Sequence, residues 1–184
     1  MRTKKAVEIK LCDITKSIAD IIVFSAHPSL IAGSGVSGMV HKAAGPELEL
    51  FAKSLGPIAP GQSVITPAFN LPAKYIIHTV CPRYIYGTPE EEQLLALAYR
   101  SALSLKDKAP DASSIAFVSL GTGVYRWPLE VAAEIAVTEL NKSEFESTMM
   151  CVADEMIRTI YQNSLVASLD AVESKNKVSI RTKQ

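Results

Sequence analysis

Two glycine-containing loops carry the residue types with the clearest chemical meaning in this sequence. Ile31-Ala-Gly-Ser-Gly-Val-Ser-Gly38 spaces Gly33, Gly35 and Gly38 as G-x-G-x-x-G, and Ser119-Leu-Gly-Thr-Gly-Val-Tyr-Arg-Trp127 places Gly121 and Gly123 two apart. Loops of this kind let backbone N–H groups approach an anion, and a helix starting behind them adds orphan donors and a positive dipole end. The first loop holds no Lys or Arg and the second holds only Arg126, so capture by amides fits better than capture by a basic cluster. One such loop would serve equally well as a tight turn. Two in one small domain point to a diphosphate or two adjacent phosphoryl groups. A dinucleotide fingerprint is excluded, because His27-Pro-Ser-Leu-Ile-Ala32 separates Gly33 from the preceding apolar run. No strand pattern stands near Gly56-Pro57 either, where that fingerprint needs a strand-end acid.

The histidines divide by their surroundings. His78 lies inside an apolar run and reads as a hydrogen-bonded core residue. His41 follows Ser37 by four residues, on one face of a helix, so a Ser–His nucleophilic pair is conceivable, but no third orienting group is identifiable. His27 ends the second strand beside the first glycine loop; it is the histidine best placed to meet a ligand, with a structural role equally open. Asp13 either caps a local turn or accepts a hydrogen bond from a ligand.

These loops need a scaffold, and the hydropathy pattern supplies one. Ala6 to Leu11 alternates as a strand, and Ile21-Ile-Val-Phe24, Tyr75-Ile-Ile-His-Thr-Val80 and Ile115-Ala-Phe-Val118 are the continuous apolar runs of strands buried on both faces. Thr148-Met-Met-Cys-Val152 is a weaker fifth. Between them the period changes to helix: Val36–Leu55 broken at Gly45-Pro46, a segment from the Thr88-Pro-Glu-Glu91 capping box to about Leu105, one opened by Pro128, and one from Asp154 with Ile157, Ile160, Tyr161 and Leu165 on a face. Alternating strands and helices predict an α/β domain with helices on both faces of a mixed sheet. Residues 1–169 form one domain in this reading, and 170–184, lacking a sustained period, form a frayed tail or short extra strand.

At 184 residues, with 48% hydrophobic and 21% charged residues, the chain has the size and composition of a single globular domain. Its 19 basic residues balance 19 acidic ones, which argues against nucleic acid or anionic membrane as a partner held through a long-range field. Cys12, Cys81 and Cys151 are odd in number and far apart, a pattern that predicts neither a disulfide framework nor a zinc site. Met1–Lys5 resembles a signal n-region, but Glu8, Lys10 and Asp13 interrupt the residues after it, so a reduced, cytoplasmic domain without metal or cofactor is expected.

From about Ala6 to Leu165 the chain resembles the macro domain (Appr-1''-p processing) family, specifically the MacroD-type ADP-ribose hydrolases and O-acetyl-ADP-ribose deacetylases. The resemblance rests on Cys12-Asp-Ile-Thr15, Gly33-Ser-Gly-Val-Ser-Gly-Met-Val-His-Lys-Ala-Ala-Gly-Pro46, Leu71-Pro-Ala-Lys-Tyr-Ile-Ile-His-Thr-Val80 and Gly121-Thr-Gly-Val-Tyr-Arg-Trp-Pro128. It implies a three-layer α/β/α sandwich with a mixed central sheet. It also implies that Asp13 accepts from an adenine amino group beside Ile14, and that Gly33, Ser34, Gly35 and Val36 wrap the distal ribose and diphosphate. Gly121, Thr122, Gly123, Val124 and Tyr125 match the second phosphate loop.

The departures fall where the family does chemistry. Its Asn-Ala-Ala-Asn reads Phe24-Ser-Ala-His27 here, the acid of its Gly-Val-Asp-Gly is Ser37, and the adenine-stacking aromatic aligns with Val152. The resemblance leads to two functions. One is a module that binds ADP-ribose, free or on an ADP-ribosylated protein, with hydrolysis weak or lost. The other is a deacetylase or mono-ADP-ribosyl-protein hydrolase that uses His27 and Ser37 in place of the usual Asn and Asp.

Overall fold

The computed structural model describes residues 6–181; the Met1–Lys5 segment, which resembles an n-region, lies outside them. Six strands form one sheet: β1 (Glu8–Leu11), β2 (Ile21–Ser25), β3 (Ser63–Pro67), β4 (Tyr75–Thr79), β5 (Ser114–Val118) and β6 (Ser147–Val152). Their order is β1-β6-β5-β2-β4-β3, parallel throughout except for the β3–β4 pair. The sheet is therefore mixed, as the sequence predicts, through a strand the periodicity does not show. Ser63–Pro67 pairs on one side only, and Val64 and Ile65 are half-buried, so it lacks the apolar run of the central strands.

Successive residues of β2 explain that run. Ile21 and Val23 pack into one hydrophobic layer with Tyr99, Ala133 and Tyr161, while Ile22 and Phe24 pack into the other with Val40, Leu48 and Ala52. Helices α3 (Pro89–Ser104), α4 (Leu129–Leu140) and α5 (Glu155–Arg181) cover the first face; α1 (Gly35–Ala44) and α2 (Pro46–Lys53) cover the second. The result is the three-layer sandwich. The local signals act as expected: the Thr88 hydroxyl accepts from the Glu91 amide, Pro46 opens α2, and the Asp154 carboxylate caps α5 by accepting from Ile157 N at 2.9 Å.

Two expectations are overturned. The chain after Leu169 continues as helix to Arg181 instead of fraying or forming a strand. No Gly or Pro interrupts it, and a helix already nucleated by its packed first half extends at one hydrogen bond per residue. Its side chains from Asp170 to Asn176 are exposed, which is why no buried stripe marks it. Cys12 and Cys151, far apart in sequence, are bonded as a disulfide with Cα atoms 5.4 Å apart. β1 and β6 are parallel neighbours with Lys10 opposite Cys151, and strand order is not written in sequence spacing. Among the described residues no helix is long and apolar enough to cross a membrane.

At the amino ends of the central strands, Asp20 binds the amides of Ser113 and Ser114 and the Lys74 ammonium. Burial opposes its charge, but these bonds outweigh it and hold the carboxyl at about 2. The clasp sits at the end of the sheet away from the glycine loops.

Candidate functional site

β2 and β5 are paired neighbours, with Ile22 opposite Ala116. From β2 the chain crosses toward β4, and from β5 toward β6. This is a topological switch point, where the loops leaving two adjacent strands diverge and a crevice opens at their carboxyl ends. The two glycine loops leave β2 and β5, so the fold alone brings them face to face.

A cavity of about 580 Å³ lies there, within the range of small-molecule sites. Ser34, Gly35, Val36 and Ser37 line one side, and Gly121, Thr122, Gly123, Val124 and Tyr125 line the other. At the end near β1 and β6, Cys12, Asp13, Ile14, Cys151, Val152, Ala153 and Ile157 complete the wall. Asp13 is the one ionised side chain in this lining. With no cationic side chain in the lining, N–H groups, hydroxyls and helix dipoles are what remain to hold a phosphate.

The first loop presents those groups through α1. Gly35, its first residue, adopts φ +59°, a conformation that favours glycine. Ser34 at the N-cap makes no side-chain capping bond, so the first-turn amides keep their donors for something else. Gly33 itself does not line the cavity. Its carbonyl packs over Gly38, where an added Cβ would stand 2.5 Å from Gly33 O. Gly33 thus shapes the loop from behind.

The second loop is held from beneath. The Tyr161 and Ser119 hydroxyls bond at 2.5 Å, Thr122 Oγ1 donates to Ser119 O at 3.1 Å, and Leu120 N donates to Tyr99 Oη at 3.1 Å. Burial pushes both phenols up, Tyr161 to about 12, so they stay neutral hydroxyls. Gly121 (φ +82°) fits against Trp127, whose Cδ1 would lie 2.6 Å from a Cβ there, and Trp127 Nε1 donates to Pro82 O. Backbone bonds from Arg126 N to Gly123 O and from Trp127 N to Gly121 O close the turn, and the amides of Thr122 to Tyr125 take no part in them. Arg126 closes it at φ 61°, strain of about 1–3 kcal/mol that persists where surroundings over-determine it.

At the β1–β6 end, Asp13 caps a local turn, the first of its two readings. One oxygen, Oδ1, accepts from Thr15 N at 2.9 Å and Thr15 Oγ1 at 2.7 Å, capping the Ile14–Lys16 turn. Its second oxygen takes no part in those bonds. The Thr15 hydroxyl, then its amide, holds the carboxyl below the usual carboxylate range. Val152 is 3% exposed and packed into the core, so it offers an edge and no stacking face. Exposed Ala153 and half-buried Ile157 finish an aliphatic wall. Sequence reasoning did not find Ser25, Met39, Ser119 or Ile157 as lining residues; their signal is position at a strand carboxyl end or in the first two turns of a helix.

The histidines do not reach the cavity. His27 is exposed and outside the lining, its Nδ1 accepting from Ser29 N at 3.0 Å to close the turn after β2. His41 and Ser37 are both buried, and neither ring nitrogen of His41 nor Ser37 Oγ has a partner, so they form no nucleophilic pair. His78 is fully buried with Nε2 3.0 Å from Thr66 Oγ1, and burial followed by the nearby His41 pushes it down to about 3.

A depressed histidine makes stability fall with acid. The folded pKa lies below the unfolded one, so the contribution is complete above pH ~6.5 and is lost at up to about 1.4 kcal/mol per pH unit down to about 3. Asp20, held at about 2, adds its loss only below about pH 4. Denaturant midpoints between pH 6.5 and 4.5 should therefore drop steeply in the wild type and much less in His78→Gln. Parallel slopes would remove His78 as the cause.

The chain is an α/β sandwich with two glycine loops facing each other across a cavity at its switch point. Residues 23–136 match the macro domain family, and the chain belongs to it. It is 41% identical over 169 residues to an O-acetyl-ADP-ribose deacetylase of Klebsiella pneumoniae, covering 87% of this chain and 96% of that protein. The Oceanobacillus iheyensis macrodomain with ADP superposes with a TM-score of 0.82 at 36% identity, over 89% of this chain and 91% of that one. The Trypanosoma brucei macrodomain in complex with ADP-ribose gives 0.77 at 29% identity, over 85% and 68%.

Proposed function

We propose that this protein binds ADP-ribose, free or attached to protein, through a backbone-amide cradle, with hydrolase activity at the distal ribose weak or lost. The observation that carries the reading is the cavity lining. It has no Lys, Arg, His or Glu, and its one carboxylate, Asp13, stands at the β1–β6 end away from the glycine loops. The first fact calls for amides to hold the diphosphate; the second leaves the ribose end without a side chain that is a base at neutral pH. The two relatives solved with ADP and ADP-ribose support the choice of ligand. In this pose the adenine lies against Ile14, Ala153 and Ile157 with its amino group toward Asp13. Gly35, Val36 and Ser37 face Gly121 to Tyr125 across the diphosphate and distal ribose.

Calorimetry with ADP-ribose tests it. Because few counterions are displaced when amides do the binding, Kd should change by about twofold or less between ~50 and ~200 mM salt. A steep dependence would mean a polyanion site instead. Asp13→Asn keeps an acceptor for Thr15 but replaces the second oxygen with an N–H2 group. ADP-ribose should weaken by about 1–3 kcal/mol, and ribose 5-phosphate, which has no base, should not change. Equal weakening of both would make Asp13 structural only.

A further inference from the structure

Resting on the adenine pose above, we propose that Cys12 and Cys151 form a reversible thiol–disulfide site in the cavity wall that sets how tightly the base is held. The bond joins the carboxyl ends of β1 and β6, and both cysteines line the cavity. Asp13 directly follows Cys12, and Val152 and Ala153 directly follow Cys151. Beyond the last strand pair, one backbone bond, Cys12 N to Val152 O at 3.3 Å, is the other tie at this point. The disulfide thus fixes the residues that frame the base and lies away from those that frame the phosphates.

The two sulfurs differ in access. Cys12 is half-buried on the cavity wall, with Met149 Sδ 4.0 Å from its sulfur, whereas Cys151 is 4% exposed. A small dithiol reaches Cys12 first. Its thiolate attacks Cys12 Sγ and Cys151 leaves as a thiolate that takes a proton. The reductant's second thiol, as thiolate, then attacks the reductant sulfur of the mixed disulfide and expels Cys12, which takes the second proton. Two electrons and two protons pass to the protein, and the reductant becomes a cyclic disulfide; a small-molecule disulfide reverses the step. Cys151 is packed in the core and Cys12 is half-buried, so release of the bond frees Cys12 and, with it, Asp13 at the base end. The third cysteine, Cys81, is 2% exposed, and burial pushes its thiol up to about 12; it is neither reachable nor reactive.

The experiment measures ADP-ribose and ribose 5-phosphate affinity on the full chain after oxidation with a small disulfide and after reduction with a dithiol. Thiol labelling under denaturant verifies each state: one reactive cysteine when oxidised, three when reduced. Reduction should weaken ADP-ribose about tenfold, the loss of roughly one well-aligned hydrogen bond, and leave ribose 5-phosphate unchanged. Cys12→Ser should show one affinity under both treatments, and Cys81→Ser should keep the response. Three labelled thiols after oxidation, or equal ADP-ribose affinity in two verified states, overturns the proposal while leaving the cradle reading intact. ADP-ribose binding in neither state rejects the cradle reading itself.

Discussion

Gly123→Glu will weaken ADP-ribose binding by about a hundredfold or more in a protein that remains fully folded. Gly123 lines the cavity, its φ is not in the left-handed region, and a Cβ added there meets nothing within 4 Å. The fold therefore has no objection to a side chain, and the new carboxylate enters the space that the diphosphate would occupy. At about 5 Å and an effective dielectric of about 20, one such charge against one phosphate charge costs about 3 kcal/mol, roughly a hundredfold in affinity. Gly123→Gln separates bulk from charge, since it keeps the shape and drops the repulsion; it should weaken binding far less. Gly121, two residues away, gives the opposite result. A side chain at φ +82° with Trp127 Cδ1 at 2.6 Å strains the backbone and displaces the indole, so Gly121→Ala lowers the melting temperature itself. Calorimetry paired with thermal unfolding distinguishes the two glycines. Tight ADP-ribose binding by folded Gly123→Glu would place the ligand elsewhere.

The contrast between Gly121 and Gly123 marks what the sequence discloses. Both glycines, their spacing and the buried strand before them are visible in the chain, and so is the absence of basic residues that points to amides. Which glycine supports the loop and which faces the cavity depends on Trp127 folding back under Gly121, a contact that no spacing encodes. The central strands were legible because two-sided burial writes itself as Ile21-Ile-Val-Phe24 and Ile115-Ala-Phe-Val118. β3 was not, because an edge strand paired on one side needs no such run. The end of α5 was missed for the same reason in reverse, since a helix can persist without burying anything once its first turns are packed.

Strand order is the larger gap. The loops after β2 and β5 are about ninety residues apart, and only the β2–β5 pairing makes them one cradle. The same is true of Cys12 and Cys151 across β1 and β6. Resemblance to a known family supplied the cradle ahead of the structure, but not the Cys12–Cys151 pairing, which depends on β1 lying beside β6. It also aligned Val152 with a stacking aromatic, whereas the structure buries Val152 and presents Ala153 and Ile157. Chain position at a strand's carboxyl end predicts that a residue is near the site. Whether its side chain faces ligand or core is decided by the pleat.

Turnover of O-acetyl-ADP-ribose should be about 10²–10⁴-fold slower than that of the Klebsiella pneumoniae relative assayed beside it, the usual cost of losing an oriented acid–base or water-holding group. Ser37 stands where the family has an acid. Its hydroxyl can hold water but accepts no proton at neutral pH, and in this structure Ser37 Oγ is buried without a partner. His27 stands where the family has an asparagine, but it is exposed, engaged with the Ser29 amide and outside the cavity. Residual turnover should therefore survive His27→Ala unchanged. Ser37→Asp should raise turnover, because residue 37 lines the cavity in the first turn of α1, where the macrodipole favours a carboxylate by about 0.3–1 kcal/mol. Combining it with His27→Asn should add little, since that loop turns the residue to solvent, and ADP-ribose affinity should stay within about tenfold throughout, a change confined to kcat. Fast wild-type turnover that disappears in His27→Ala would overturn the binding-module reading and make His27 the base. An unchanged rate in Ser37→Asp would mean that the ribose end has diverged beyond this one side chain, with Ser25 and Met39 in the same wall as the next positions to restore.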